Sequence, residues 1–538
     1  MADSRTRAYS IGEHGPVALR IMHDRRVRTG ILALAALMIA TACSPAGSGT
    51  DDTGDGPFVV ARTGGVEQLD PAKATAFQTV HTLGLVYDTL LDTDDNGELA
   101  PGLAKEWEVS DGGTTVTFTL RRGVTFHEGA TFTAKDAKAT LQRLLDEKTG
   151  SVVRSYLLSI ESIETPGKYT LVLQLKRPDA ALLTALTYVG TSMLDSGDIQ
   201  AGTVARDPNG TGPFRWVSWK QGRRVTLAAN AGYWDGVPKL SKVQLRVIPE
   251  ESSIVSGMKA GSFDLGVISD PGVVRNIDGS SNSGVQVMEQ ATLSYHTLML
   301  NSRRGPLGKL KVRQAIACAI DRNQVVETAY FGHGKVTGPI TSPAYEYDPT
   351  AGLPCDPPDR QKAKSLLAEA GYADGFTLDT IVMVGQYSTA TNVAQSLQAQ
   401  LKKIGVRLQL KQQQTNVYVD NWLAADFDAA VALNGGSYDP YLLYNRYFTE
   451  KGSLTKPAGF SSETLDRLLR KGNATTDMAE RRRIFGKLQR EMLRLSPWIW
   501  LLRNPVYYLA GENVRGFEPT PTQSLEHLTS TRLVESES

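Results

Sequence analysis

Pro101-Gly-Leu-Ala-Lys-Glu-Trp107-Glu-Val-Ser-Asp111-Gly-Gly-Thr-Thr-Val-Thr-Phe118-Thr-Leu-Arg121-Arg-Gly123-Val-Thr-Phe126-His127-Glu-Gly129 is the stretch from which the fold is best read. Thr114 to Leu120 (TTVTFTL) alternates polar with β-branched or apolar residues, the period of a half-buried strand. Asp111-Gly112-Gly113 is a turn sequence and places a second strand on its other side. Trp107, Phe118 and Phe126 give this small strand-rich unit bulky apolar area to bury. Thr133-Ala134-Lys135-Asp136 then opens a helix expected through Leu145, with Thr133 as N-cap and Asp136 in the first turn.

Strands and helices keep alternating from Phe58 onwards. Strands are expected at Tyr169 to Leu175, Val225 to Ala228, Val243 to Val247, Gly375 to Val384 and Val406 to Leu410. One helix is expected over Val312 to Thr328, and another from Asp356, with Pro357 and Pro358 at its first positions, to Gly371. Further helices are expected at Asn392 to Ile404, Ser462 to Arg470 and Met478 to Leu495. Pro497 to Leu509 (PWIWLLRNPVYYL) reads as apolar extended chain. The class is α/β, without internal repeats.

The N-terminus has the order of an export signal. Arg25, Arg26 and Arg28 precede the uncharged run Ile31 to Ala40, and Ala40-Thr41-Ala42-Cys43 closes it. Gly30 to Cys43 is too short to cross a hydrocarbon core, which needs about 20 residues. Residues 1–42 are therefore expected to be removed, and Met22 is the expected start of translation, with 1–21 as an upstream extension. Ser44 to Pro57 (SPAGSGTDDTGDGP) has almost nothing apolar and reads as a flexible stalk, so 43–57 is assigned as linker.

Removing residues 1–42 takes away Arg5, Arg7, Arg20, Arg25, Arg26 and Arg28 against Asp3, Glu13 and Asp24, which leaves a slightly acidic chain. Phosphate binding needs concentrated positive charge, so nucleic acid is excluded as a partner. A chain of roughly 500 residues exceeds one core and implies two or more lobes. Beyond Cys43 only Cys318, in an apolar run, and Cys355, in a Pro-rich loop, remain. A bridge between them is open, although a chain this large does not require one.

No catalytic constellation emerges. Gly-x-Ser-x-Gly, His-Glu-x-x-His and Cys-x-x-Cys are absent, and Gly167-Lys168 lacks the upstream glycine of a phosphate-cradling loop. The histidines (14, 23, 81, 127, 296, 333 and 527) are scattered, so no metal site and no cofactor are assigned. Glu480-Arg481-Arg482-Arg483 reads as a solvated helix face. The chain is read as a binder and not an enzyme.

The quoted stretch, with Phe132-Thr-Ala-Lys-Asp136 after it, resembles the signature of family 5 extracellular solute-binding proteins, the peptide- and nickel-type receptors of ABC importers. Gly210-Thr211-Gly212-Pro213-Phe214 with Asn230-Ala-Gly-Tyr233-Trp234, Ala260-Gly261-Ser-Phe-Asp264, Val312-Arg-Gln-Ala315, Ala319-Ile-Asp-Arg322 and Ala363 to Tyr372 follow in the family's order. The N-terminus similarly resembles a bacterial lipoprotein signal, which implies lipidation at Cys43. The resemblance implies a two-lobed, type II periplasmic-binding-protein-like fold with an extra subdomain inserted in the first lobe. Lobe one is expected at 57–290 plus 505–538 and lobe two at 291–504, joined by two crossing strands. It implies a monomer tethered by lipid to the outer face of the cytoplasmic membrane. The monomer would hand a small solute or peptide to permease and ATPase subunits.

Family members that grip a peptide amine place an aspartate four residues before a proline. Here that position, before Pro440, is Gly436, and the earlier aromatic place falls on Leu433. Asp439 is a substitute or a turn residue. Gly385 to Asn392, where an arginine would meet a carboxylate, holds no basic residue. The remaining candidates are Thr75, Phe77 and Gln78 in the first lobe, and Gln386, Tyr387, Asn434 and Tyr438 in the second. Such neutral groups suit peptide amides, a sugar or another uncharged polar solute. A receptor-like protein that has lost transport is the rival reading.

Overall fold

Two long strands, Val285–Leu300 and Trp498–Gly511, run antiparallel to each other through the middle of an eleven-stranded sheet. The computed structural model describes residues 56–94, 96–278, 284–345, 347–384, 389–450 and 452–534. The signal, Cys43 and most of the linker lie outside them. On one side of the long pair the order is Ala429–Asn434, Phe376–Val384, Val406–Gln414. On the other it is Leu265–Ile268, Phe58–Arg62, Lys242–Val247, Arg224–Ala229, Phe214–Lys220. Each half contains parallel pairs, 376–384 with both neighbours and 58–62 with both of its own. Parallel strands need crossover connections and helices on the sheet faces, which explains the alternation in the sequence. The long pair changes register between Ala291 and Tyr295. There its partnership passes from the strand 265–268 to the strand 429–434.

The opening stretch forms part of a separate four-stranded antiparallel sheet, Ala104–Ser110, Thr115–Leu120, Thr170–Leu175, Ile160–Gly167. Asp111, Gly112 and Gly113 all have positive φ and make the turn. The helix Ala134–Leu145 packs on this sheet, with a capping box between Thr133 and Asp136. Phe118 and Phe126 are buried in a core of their own with Leu141 and Leu171, and Trp107 packs partly buried against it.

The glycine motif has a visible reason. A Cβ on Gly210 would lie 1.9 Å from the Val86 carbonyl oxygen, and one on Gly212 2.6 Å from the Val86 carbonyl carbon. Beside them Asp88 is the hub that joins the later blocks. It accepts from Thr211 Oγ1 at 2.7 Å, Trp234 Nε1 at 2.9 Å and Tyr233 Oη at 3.2 Å. Burial pushes its carboxyl above the usual range, and those three donors oppose that.

Two expectations change and one open question closes. The span 312–328 is not one helix but two, Leu310–Ala319 and Arg322–Tyr330. Ile320 is extended between them, and Asp321 caps the second through the Gln324 amide at 3.0 Å. The next helix starts later than expected, at Arg360, because Asp359 rather than Asp356 supplies the cap. Cys318 and Cys355 form a disulfide, their Cα atoms 4.8 Å apart, which ties the 347–359 loop to the first of the two helices.

Candidate functional site

A cleft of about 760 Å³ opens beside the crossing strands. The first strand ends in it at Arg62, followed by Thr63 and Gly64, and the loop and helix after Thr75 form one wall. Ser294 and Asn504, where the long strands change partners, also line it, as does Leu433 from the other half. Thr75, Phe77 and Gln78 all line the cleft. Phe77 is 39% exposed, an aromatic ring left open on the wall.

The second-lobe candidates fare differently. Gln386 and Tyr387 lie outside the described residues. Asn434 is half-buried, and its Nδ2 donates to Thr297 Oγ1 at 3.0 Å rather than into the cleft. Gly436 is pressed against the backbone of Leu293, whose oxygen would sit 2.1 Å from an added Cβ. Tyr438 is buried, its ring filling the space beside Gly97. Asp439 takes the second of its two readings, the turn residue, and its carboxylate is fully buried away from the cleft. Oδ1 caps the helix Pro440–Phe448 through the Tyr441 amide at 2.8 Å, and Oδ2 takes Arg481 Nη2 at 2.6 Å. Arg481 likewise leaves the solvated face assigned to it. Burial works to lower its pKa, but Asp439 and the Tyr345 hydroxyl hold it above the usual arginine range.

These segments instead join the two halves of the fold. Tyr188 Oη lies 2.7 Å from Ser437 Oγ, the Ala181 amide donates to Asn473 Oδ1 at 3.0 Å, and Arg482 pairs with Glu98 at 2.6 Å.

Sequence reasoning missed Arg62. Its side chain lines the cleft and is 5% exposed. Nη1 donates to the Gln78 carbonyl at 3.0 Å and Nη2 to Thr82 Oγ1 at 2.6 Å, while Nε–H has no acceptor. Burial brings its pKa down to about 9, so it remains charged near neutrality. The signal was an arginine ending an otherwise apolar buried strand, Phe58-Val-Val-Ala-Arg62. His81, beside it, is held neutral at pH 7: burial and the Arg62 charge lower its pKa to about 4. Among the described residues no cluster of metal-ligating side chains occurs, and no helix is long and apolar enough to cross a membrane.

A cleft where two long strands join two α/β halves defines a two-lobed solute receptor of the periplasmic-binding-protein class. The chain belongs to the bacterial extracellular solute-binding proteins, family 5, whose model it matches over residues 98–454. It is 28% identical over 477 residues to heme-binding protein A of Haemophilus influenzae, covering 81% of this chain and 85% of that one. It is 26% identical over 485 residues to the glutathione-binding protein GsiB of Escherichia coli K12, covering 85% and 91%. Among solved structures it is similar to AgaA of A. tumefaciens R10 in complex with agropinic acid, with a TM-score of 0.74 and 28% identity over 90% of this chain and 99% of that one. CtaP of Listeria monocytogenes shares the fold with a TM-score of 0.79 at 24% identity, over 89% of this chain and 99% of that one. Members of this family are transport binding proteins that work with ABC permeases. The chain is an exported solute-binding protein and not an enzyme.

Proposed function

We propose that this chain is the lipid-anchored receptor of an ABC importer. It captures an oligopeptide or a similar polar small solute between its lobes and delivers it to the permease. The cleft is the observation that carries the reading: it is fed from both halves of the sheet and sits where the crossing strands change partners. Lobe one is assigned to 57–290 plus 505–538 and lobe two to 291–504, which puts the boundaries close to that register change. The tether is a lipid on Cys43 and the working unit is a monomer. Solute shifts an open–closed equilibrium of the lobes by binding the closed form better.

Native mass spectrometry of the full chain, before and after gentle denaturation, tests this. A released solute of a few hundred daltons supports the reading. A chain that releases nothing and shows no thermal shift with peptide and sugar panels overturns it.

A further inference from the structure

Arg62, Val267 and Tyr508 lie in one row across three neighbouring strands: Arg62 is paired with Val267, and Val267 with Tyr508. Residues paired in register present their side chains to the same face of a sheet, and all three line the cleft. Strands two apart are separated by about 10 Å, a span within the combined length of an arginine and a tyrosine side chain. Among the described residues the Arg62 Nε–H has no acceptor, and the Tyr508 hydroxyl has no partner either, although both residues are deeply buried. Buried polar groups are almost always satisfied, so two unsatisfied donors in one row at one cleft mark a place for an acceptor from outside the chain.

The electrostatics give that acceptor a sign. Among the described residues no carboxylate is within ion-pair distance of Arg62, and with His81 neutral it is the only full positive charge lining the cleft. Three acids also line the cleft, Glu250, Glu251 and Asp270, and two of them are held by backbone amides. Glu251 accepts from the Ser269 and Asp270 amides, both at 2.9 Å, and Asp270 accepts from the Gly272 amide at 2.8 Å. A guanidinium N–H and a phenol O–H in one row of the sheet, on residues that both line the cleft, match the two oxygens of a carboxylate.

We propose that Arg62 and Tyr508 form a carboxylate-binding subsite in this cleft, and that the captured solute carries a carboxylate there. The proposal rests on the cleft being the solute site and replaces the uncharged solute suggested by the absence of a basic residue from 385–392. It needs no residue from that segment, because the cation comes from the first strand instead.

The test uses acetate as the smallest carboxylate and acetamide as its uncharged isostere. The readout is the arginine Nε–H region of a nitrogen-15 spectrum of the full chain, in which Arg62→Lys assigns the Arg62 signal. Saturable movement of that signal with acetate and none with acetamide is expected. Tyr508→Phe removes only a hydroxyl that has no partner among the described residues. It should keep the wild-type melting temperature and weaken acetate by about tenfold or more, an effect of the size of one charge-assisted hydrogen bond. Equal responses to the two probes, no response up to about 100 mM acetate, a standard weak-binding range, or an unchanged acetate affinity in Tyr508→Phe overturns the subsite. The cleft reading fails separately: a solute released in native mass spectrometry while Arg62 ignores acetate sinks the subsite alone. Saturable acetate binding at Arg62 supports the subsite even where no solute co-purifies.

Discussion

Two arginines of this protein are buried almost equally, and their surroundings are opposite. Arg481 has 6% of its side chain exposed, and its partners are a carboxylate, a phenol and a backbone carbonyl. Arg62 is as deeply placed but meets only neutral acceptors, one nitrogen meets none, and its pKa falls where that of Arg481 rises. A buried cation that is fully answered inside the chain holds the fold together. One answered only in part is a cost to the empty protein and an attachment point for a ligand. Residue type and burial are the same in both, so the partner set is what separates scaffold from site.

Several changes break or sharpen that contrast. Asp439→Ala would put Arg481 in a condition worse than that of Arg62, a buried charge stripped of its carboxylate, and also removes a helix cap. Urea unfolding should register a loss of about 3–5 kcal/mol. His296 extends the contrast to a proton. It is fully buried, Nε2 lies 2.6 Å from the Tyr330 hydroxyl, Nδ1 has no partner, and burial depresses its pKa to about 3. The unfolded chain therefore takes up a proton that the folded one refuses. Stability contributed by neutral His296 is present above pH 6.5 and is lost as pH falls toward 3, by about 2 kcal/mol at pH 5. His296→Gln should remove that part of the slope in urea titrations run at pH 7 and pH 5, and an unchanged slope would refute the assignment.

Arg62→Met replaces the incompletely answered cation with an apolar chain of similar length. Its thermal unfolding should show stability unchanged or higher by about 1 kcal/mol, the reverse of Asp439→Ala. A large destabilisation would make Arg62 another Arg481. The smallest effect belongs to the solvent-exposed version of the same chemistry, Arg482 with Glu98, whose side chains are 43% and 53% exposed. Glu98→Gln should cost about 0.5 kcal/mol in low salt and almost nothing in 0.5 M salt, a range in which exposed pairs are screened.

How much could be read beforehand differs by region. The Thr114 to Leu120 strand, its Asp111-Gly112-Gly113 turn and the helix capped by Thr133 form as written, because period, turn chemistry and capping act over a few residues. Met478–Leu495 was legible to the residue for the same reason. The break at Ile320–Asp321 was missed because the apolar pattern continues through it while the Asp321 carboxylate stops the backbone. In the cleft, Thr75, Phe77 and Gln78 were legible. Asp439 was legible as a turn residue, but its pairing with Arg481, 42 residues away, was not.

By itself the sequence determined the α/β class, the strand-rich unit around Phe118, and the family. Each of these rests on local pattern or on long motifs kept in order. The tertiary structure decided what a charge means. Only the sheet brings Arg62, Val267 and Tyr508 into one row from three distant segments. Only packing leaves one arginine with a carboxylate and another without one. Satisfaction of a buried polar group depends on every atom around it, and those neighbours arrive from parts of the chain that no local window contains.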